Sequence, residues 1–151
     1  MNTIQQAHIL LVDDNTDLLR LLEEQLRGAG YQNIRTVQNC AAAQTAFAAE
    51  MPELMILDEP SVYLDLAGRE FLLKTIEELA ETRPDLTIVF ITQRIEDILP
   101  VFNRGMILKS GEIVAHGSRD EVLTEENLKD AFGLDIQLIK TEKGRLWTVI
   151  R

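Results

Sequence analysis

Residues 54–60 read Leu54-Met55-Ile56-Leu57-Asp58-Glu59-Pro60. Four apolar side chains in a row suit a strand buried on both faces, the usual state of a parallel strand covered by helices. Two carboxylates and a proline then end it at an acidic loop. The same plan occurs upstream. His8 to Val12 is an apolar run that ends in Asp13-Asp14-Asn15, and from Asp17 to Leu26 leucines recur at helical spacing until Gly28 and Gly30. Between these two units, Asn33 to Val37 reads as a short strand and the alanine-rich stretch Ala41 to Glu50 as a helix.

Downstream, Gly68 to Thr82 is amphipathic and closed by Pro84, and Leu86 to Ile91 is a β-branched strand ending at Thr92, with a short helix from Ile95. Met106 to Lys109 and Ile113 to Ala115 flank Ser110-Gly111, a hairpin signal. Ser118 to Gly133 reads as two short helices, and Leu134 to Ile139 and Leu146 to Ile150 as a terminal hairpin around Lys143-Gly144. The expected class is α/β: three layers around a mostly parallel sheet, with C-terminal β-hairpins. The short link Gly28 to Gln32 favours neighbouring first and second strands, and so a flavodoxin-like order 2-1-3-4-5. The expected unit is a single composite domain over residues 1–151.

The chain has 151 residues, 46% of them apolar, enough for one sizeable core. Its net charge of −10 is evenly spread, with −5 on residues 1–58 and −5 on residues 59–151. That balance argues against a nucleic-acid or anionic-membrane surface as partner. The single Cys40 excludes an intramolecular disulfide framework and a multi-cysteine zinc site. No apolar run approaches the ~20 residues of a membrane span, and the polar start MNTIQQ is unlike a signal peptide, so a cytoplasmic protein is expected.

The stretch HILLVDDNTDLLRLLEEQLRGAGY, followed by a helix and then LMILD, resembles the receiver domain of bacterial response regulators over about residues 1–58. The resemblance implies that Asp13 and Asp14 hold Mg²⁺ and that Asp58 accepts a phosphoryl group. Thr92 and Lys109, at the ends of the fourth and fifth strands, are the supporting hydroxyl and cation of that reading. Past Asp58 the receiver pattern breaks. There LMILDEP, YLDLAGRE, VFITQR and ILKSGEIVAHGSRDEVL resemble the Walker B strand, D-loop, switch strand and following segment of an ABC-transporter ATPase, over about residues 54–151. This second resemblance implies that Asp58 positions Mg²⁺ through water and Glu59 is the general base. Gln93 stands where that family has its switch histidine.

Neither a G-x-x-x-x-G-K-[ST] loop nor an LSGGQ-type signature occurs in the 151 residues, so no run of backbone N–H groups with a lysine cradles phosphate. The two resemblances overlap at LMILD. The economical reading is a chimera: a receiver-like fragment, residues 1–58, joined by design to an ABC-ATPase-like fragment, residues 59–151. On that reading the protein is an engineered scaffold without complete catalytic machinery, and not an enzyme. Alternatives are a Mg²⁺-dependent phosphoacceptor at Asp58 and an ABC-type nucleotide-binding fragment lacking Walker A.

Carboxylates at the ends of neighbouring parallel strands converge on the crevice where open α/β sheets bind ligands, so Asp13, Asp14 and Asp58 are expected to cluster. Two such charges ~4 Å apart repel by about 4 kcal/mol at an effective dielectric near 20, which raises a pKa or recruits a hard cation. Mg²⁺, weakly bound, is the cofactor this admits, and ATP is not expected. No partner is required, neither nucleic acid nor membrane, and the chain is expected as a monomer or homodimer. His8 and His116 are read as structural or surface residues, and Trp147 and Phe132 as core or hairpin cover.

Overall fold

Strand β1 (Ile9–Val12) is buried along its whole length, each side chain being at most 6% exposed. Its edges are covered too. β2 (Ile34–Val37) and β3 (Leu54–Asp58) pair with it in parallel, Ile9 lying opposite both Ile34 and Leu54. β4 (Thr87–Ile91) pairs in parallel with β3, and the sheet runs β2-β1-β3-β4. The computed structural model describes residues 4–151 apart from the side chain of Cys40, so the first three residues of the polar start and the Cys40 thiol lie outside the described residues.

Helix α1 (Thr16–Gly28) starts where it does because the Asn15 side chain accepts hydrogen bonds from the N–H groups of Asp17 and Leu18, at 3.0 and 3.1 Å. It packs Leu19, Leu22 and Leu26 on Ile9 and Leu11, with Ile34, Leu54 and Ile56 in the same cluster. Helix α2 (Cys40–Ala49) is capped by Asn39 and buries Ala46. Helix α3 (Leu66–Thr82) begins two residues before the expected Gly68. Its cap is Asp65, whose carboxylate accepts the Gly68 N–H at 2.7 Å, and it buries Leu73 and Ile76.

The four parallel strands have the neighbours expected of them, but the expected fifth does not join. β5 (Arg104–Lys109) pairs antiparallel with β6 (Glu112–Ser118) across Ser110 and Gly111, whose φ angles of +52° and +81° make a left-handed two-residue turn. The hairpin expected around Ser110-Gly111 thus forms, and it makes a two-stranded sheet of its own apart from the parallel sheet. The five-stranded order 2-1-3-4-5 is therefore not established. The chain divides into two compact units, Met1–Gln93 and Arg94–Arg151. The division falls after β4.

The second unit contains a 3₁₀ turn (Ile95–Asp97), the β5–β6 hairpin, α4 (Arg119–Val122), α5 (Glu125–Phe132), and the hairpin of β7 (Ile136–Lys140) and β8 (Leu146–Ile150). Ile95, Leu128, Ile136 and Leu146 form its core. Ser118 and Glu121 build a reciprocal capping box at the start of α4, a pattern readable as Ser-x-x-Glu. Trp147 is 43% exposed, with the Arg145 guanidinium 5.9 Å from its ring centroid, and Phe132 is similarly half exposed, so both cover the surface of this unit rather than fill its core. Among the described residues no helix is long and apolar enough to cross a membrane.

Candidate functional site

The site is built at the carboxyl ends of β1, β3 and β4. Asp58 is the last residue of β3 and lies opposite Ile91, while Val12 lies opposite Leu57, so one step along the register brings Asp13 beside Asp58. Burial raises the Asp58 carboxyl above its ordinary value, and the negative charges of Asp13 and Glu59 push it the same way.

Glu59 leaves the strand in the left-handed region, with φ +44°, a conformation that costs free energy for a residue with a Cβ. Three contacts hold it there. Its N–H donates to the Ile91 carbonyl at 2.9 Å, and its Oε1 accepts the Gln93 N–H at 2.8 Å. Its Oε2 lies 3.4 Å from the Thr92 hydroxyl. The half-buried Glu59 is thus a carboxylate fixed in aim by the end of β4. Behind it, a turn links the Glu59 carbonyl to the Val62 N–H, encloses the fully buried Ser61, and delivers Asp65 to the cap of α3.

The expected residues divide. Asp13, Asp58, Glu59, Thr92 and Gln93 lie together at this end of the sheet. Asp14 is exposed, and the Asp13 Oδ1 is used locally, accepting the Asn15 N–H at 2.6 Å in the turn that leads into α1. Lys109 ends β5 in the second unit and donates to the Asp130 carbonyl at 2.5 Å. The support expected of it rested on a fifth parallel strand, which the sheet lacks. Among the described residues no group of three or more His, Cys, Asp or Glu side chains is placed to hold a metal ion. His8 pairs with Glu50 at 2.9 Å, and His116 sits in β6 opposite Met106. The hold of β4 on Glu59 escaped the sequence, since the only signal for it was the Asp-Glu-Pro break itself.

No protein-family model matches the chain. It is 41% identical over 88 residues to the uncharacterized ABC transporter ATP-binding protein YlmA of Bacillus subtilis, covering 58% of this chain and 33% of that protein. It is 32% identical over 140 residues to the vitamin B12 import ATP-binding protein BtuD of Escherichia coli, covering 93% of this chain and 54% of BtuD. Among solved structures, it resembles a metal-chelate type ABC transporter in an inward-facing conformation, with a TM-score of 0.54 and 28% identity over 66% of this chain and 39% of that one. The chain spans between a third and about half the length of these curated relatives. The likeness is to part of ABC transporter ATP-binding proteins.

Four expectations are overturned by these likenesses. An alignment of 140 residues cannot fit on either side of residue 58, so it runs through the supposed splice, and nothing in the comparisons indicates a receiver or a chimera. The engineered scaffold without an enzymatic role gives way to relatives that are ATP-binding proteins, and the view that ATP is not a ligand loses its support. The expectation of no required partner and no membrane does not stand beside relatives named for transport and import. The receiver-like pattern has a local cause. Asp13-Asp14-Asn15 makes a side-chain turn and a helix cap, which any strand-to-helix junction can use.

Proposed function

We propose that the chain carries the hydrolytic rim of an ABC-type ATP-binding subunit, with Asp58 on Mg²⁺ through water, Glu59 as general base for the attacking water, and Gln93 at the switch position. The observation that supports this most is the fixed aim of the Glu59 carboxylate, held by the Gln93 N–H and the Thr92 hydroxyl at the mouth of the sheet. A general base must be aimed before it is useful, and the Gln93 N–H just past β4 supports that role for Glu59.

The residues fit Mg²⁺. Three carboxylates, one of them half-buried with a raised pKa, concentrate negative charge that a hard cation relieves. Mg²⁺ keeps several of its waters and takes substrate phosphates into its shell, so a carboxylate acting through water suffices and no three-ligand protein cage is needed. Bound there, the ion would neutralise charge on the phosphate oxygens. Asp58 would orient its water, Asp13 would add to the field, and Glu59 would take a proton from the nucleophile.

The phosphate cradle lies outside these 151 residues, so hydrolysis belongs to an assembly that supplies it, at the cytoplasmic face of a membrane-embedded transport partner. The reading is tested by phosphate release from that assembly in Mg²⁺ and ATP. Glu59→Gln should lower turnover by about 10²-fold or more while leaving nucleotide binding within a few fold. Unchanged turnover would refute it.

A further inference from the structure

Met51 lies in the link between α2 and β3 and is 63% exposed, yet its sulfur is engaged. The Arg83 Nη1 donates to Met51 Sδ at 3.2 Å. Arg83 is the C-cap of α3, and its guanidinium is held on two other sides. Its Nε and Nη2 donate to the two carboxylate oxygens of Asp85, at 2.9 and 2.7 Å. The Phe47 ring of α2 lies against it, with the centroid 5.5 Å from Cζ. The guanidinium is thus fixed in orientation, with Nη1 aimed at the sulfur. A thioether is a weak acceptor, whereas a cationic N–H makes its strong hydrogen bonds to oxygen.

We propose that Met51 is a site of oxidation by hydroperoxide, and that the sulfoxide oxygen replaces the sulfur as acceptor of the Arg83 Nη1–H. A sulfur lone pair attacks one peroxide oxygen, so that an S–O bond forms and the O–O bond breaks. The proton on the attacked oxygen passes to the departing hydroxide, which leaves as water; the sulfur is oxidised by two electrons and the peroxide reduced. Exposure admits the reagent to Met51, and to Met106 at 56%, while Met55 in β3, 4% exposed, is closed to it. Sulfoxide formation commonly disrupts structure by making an apolar side chain polar. Here the new oxygen meets a cation already in place, so oxidation tightens the tie between the ends of α2 and α3. The site precedes the amino end of β3, at the other end of that strand from Asp58, and does not rest on the reading given for Asp58 and Glu59.

The test treats the full chain with hydrogen peroxide and maps its peptides by mass spectrometry. One added oxygen is expected at Met51 and at Met106, and none at Met55. In Met106→Leu, oxidation should raise the melting midpoint by about 1–3 °C, and the rise should vanish when Arg83→Gln is added. A second comparison needs no Arg83 variant: Met51→Gln, which supplies an amide oxygen, should melt above Met51→Leu, which supplies no acceptor. Met51 left unmodified while Met106 is converted would overturn the proposal. So would a midpoint that fails to rise or rises equally with Arg83→Gln, or Met51→Gln melting no higher than Met51→Leu.

Discussion

The Gln93 main-chain N–H donates to Glu59 Oε1 at 2.8 Å. The bond that aims the carboxylate therefore does not depend on the side chain at position 93. Gln93→Ala should leave stability within about 0.5 kcal/mol and the Gln93 amide as protected as before. Glu59→Ala should cost about 1–2 kcal/mol and speed exchange of that amide, since its acceptor is removed. Hydrogen exchange together with urea denaturation reads both, and slow exchange persisting in Glu59→Ala would contradict the geometry.

Asp58 sets a pH dependence of definite sign. Its folded pKa is raised above the unfolded value by burial and by Asp13 and Glu59, so the folded state holds its proton more tightly. The stability this gives is fully present below the ordinary carboxylate pKa of 3.8 and is lost as pH rises through the folded pKa. Asp58→Asn should therefore raise the melting midpoint at pH 7 by about 1–3 °C and have little effect near pH 3.5. A midpoint that falls at pH 7 would reverse the sign.

On the proposed reading, Mg²⁺ would act against the same repulsion. Millimolar MgCl₂ should raise the melting midpoint slightly at pH 7, less at pH 4, and not at all in Asp58→Asn, because the ion competes with the proton for one carboxylate. A rise equal in the variant would place the ion elsewhere.

Asn15 caps α1 with two main-chain hydrogen bonds. Asn15→Ala should cost about 0.5–2 kcal/mol, read as a lower urea midpoint, while Asn15→Ser recovers most of it.

Leu128 is fully buried in the core of the second unit. Leu128→Ala should cost about 2–5 kcal/mol by leaving a cavity. Exchange protection in β7 and β8 should fall, while that of β1 and β3 is the control for a loss confined to Arg94–Arg151.

The class of the fold, its first four strands and its helices were legible because each strand is a short apolar run and each helix has a period or a cap in its own residues. Asn15, Asp65 and Ser118 act within three residues of themselves, a range at which sequence and geometry nearly coincide. Residues 54–60 also marked the rim of the site, since an apolar strand broken by Asp58 and Glu59 has to present carboxylates at a sheet end.

Tertiary structure decided the rest. The Ser110-Gly111 turn announced the β5–β6 hairpin, but that β5 pairs with no strand of the parallel sheet follows from long-range pairing, which periodicity does not rank. Glu59 meets Gln93 across 34 positions of chain, and Arg119 meets Gly144 across 25, so neither contact leaves a local trace. Local preferences are written residue by residue; distant partners are chosen by which strands pair and which loops that pairing brings together.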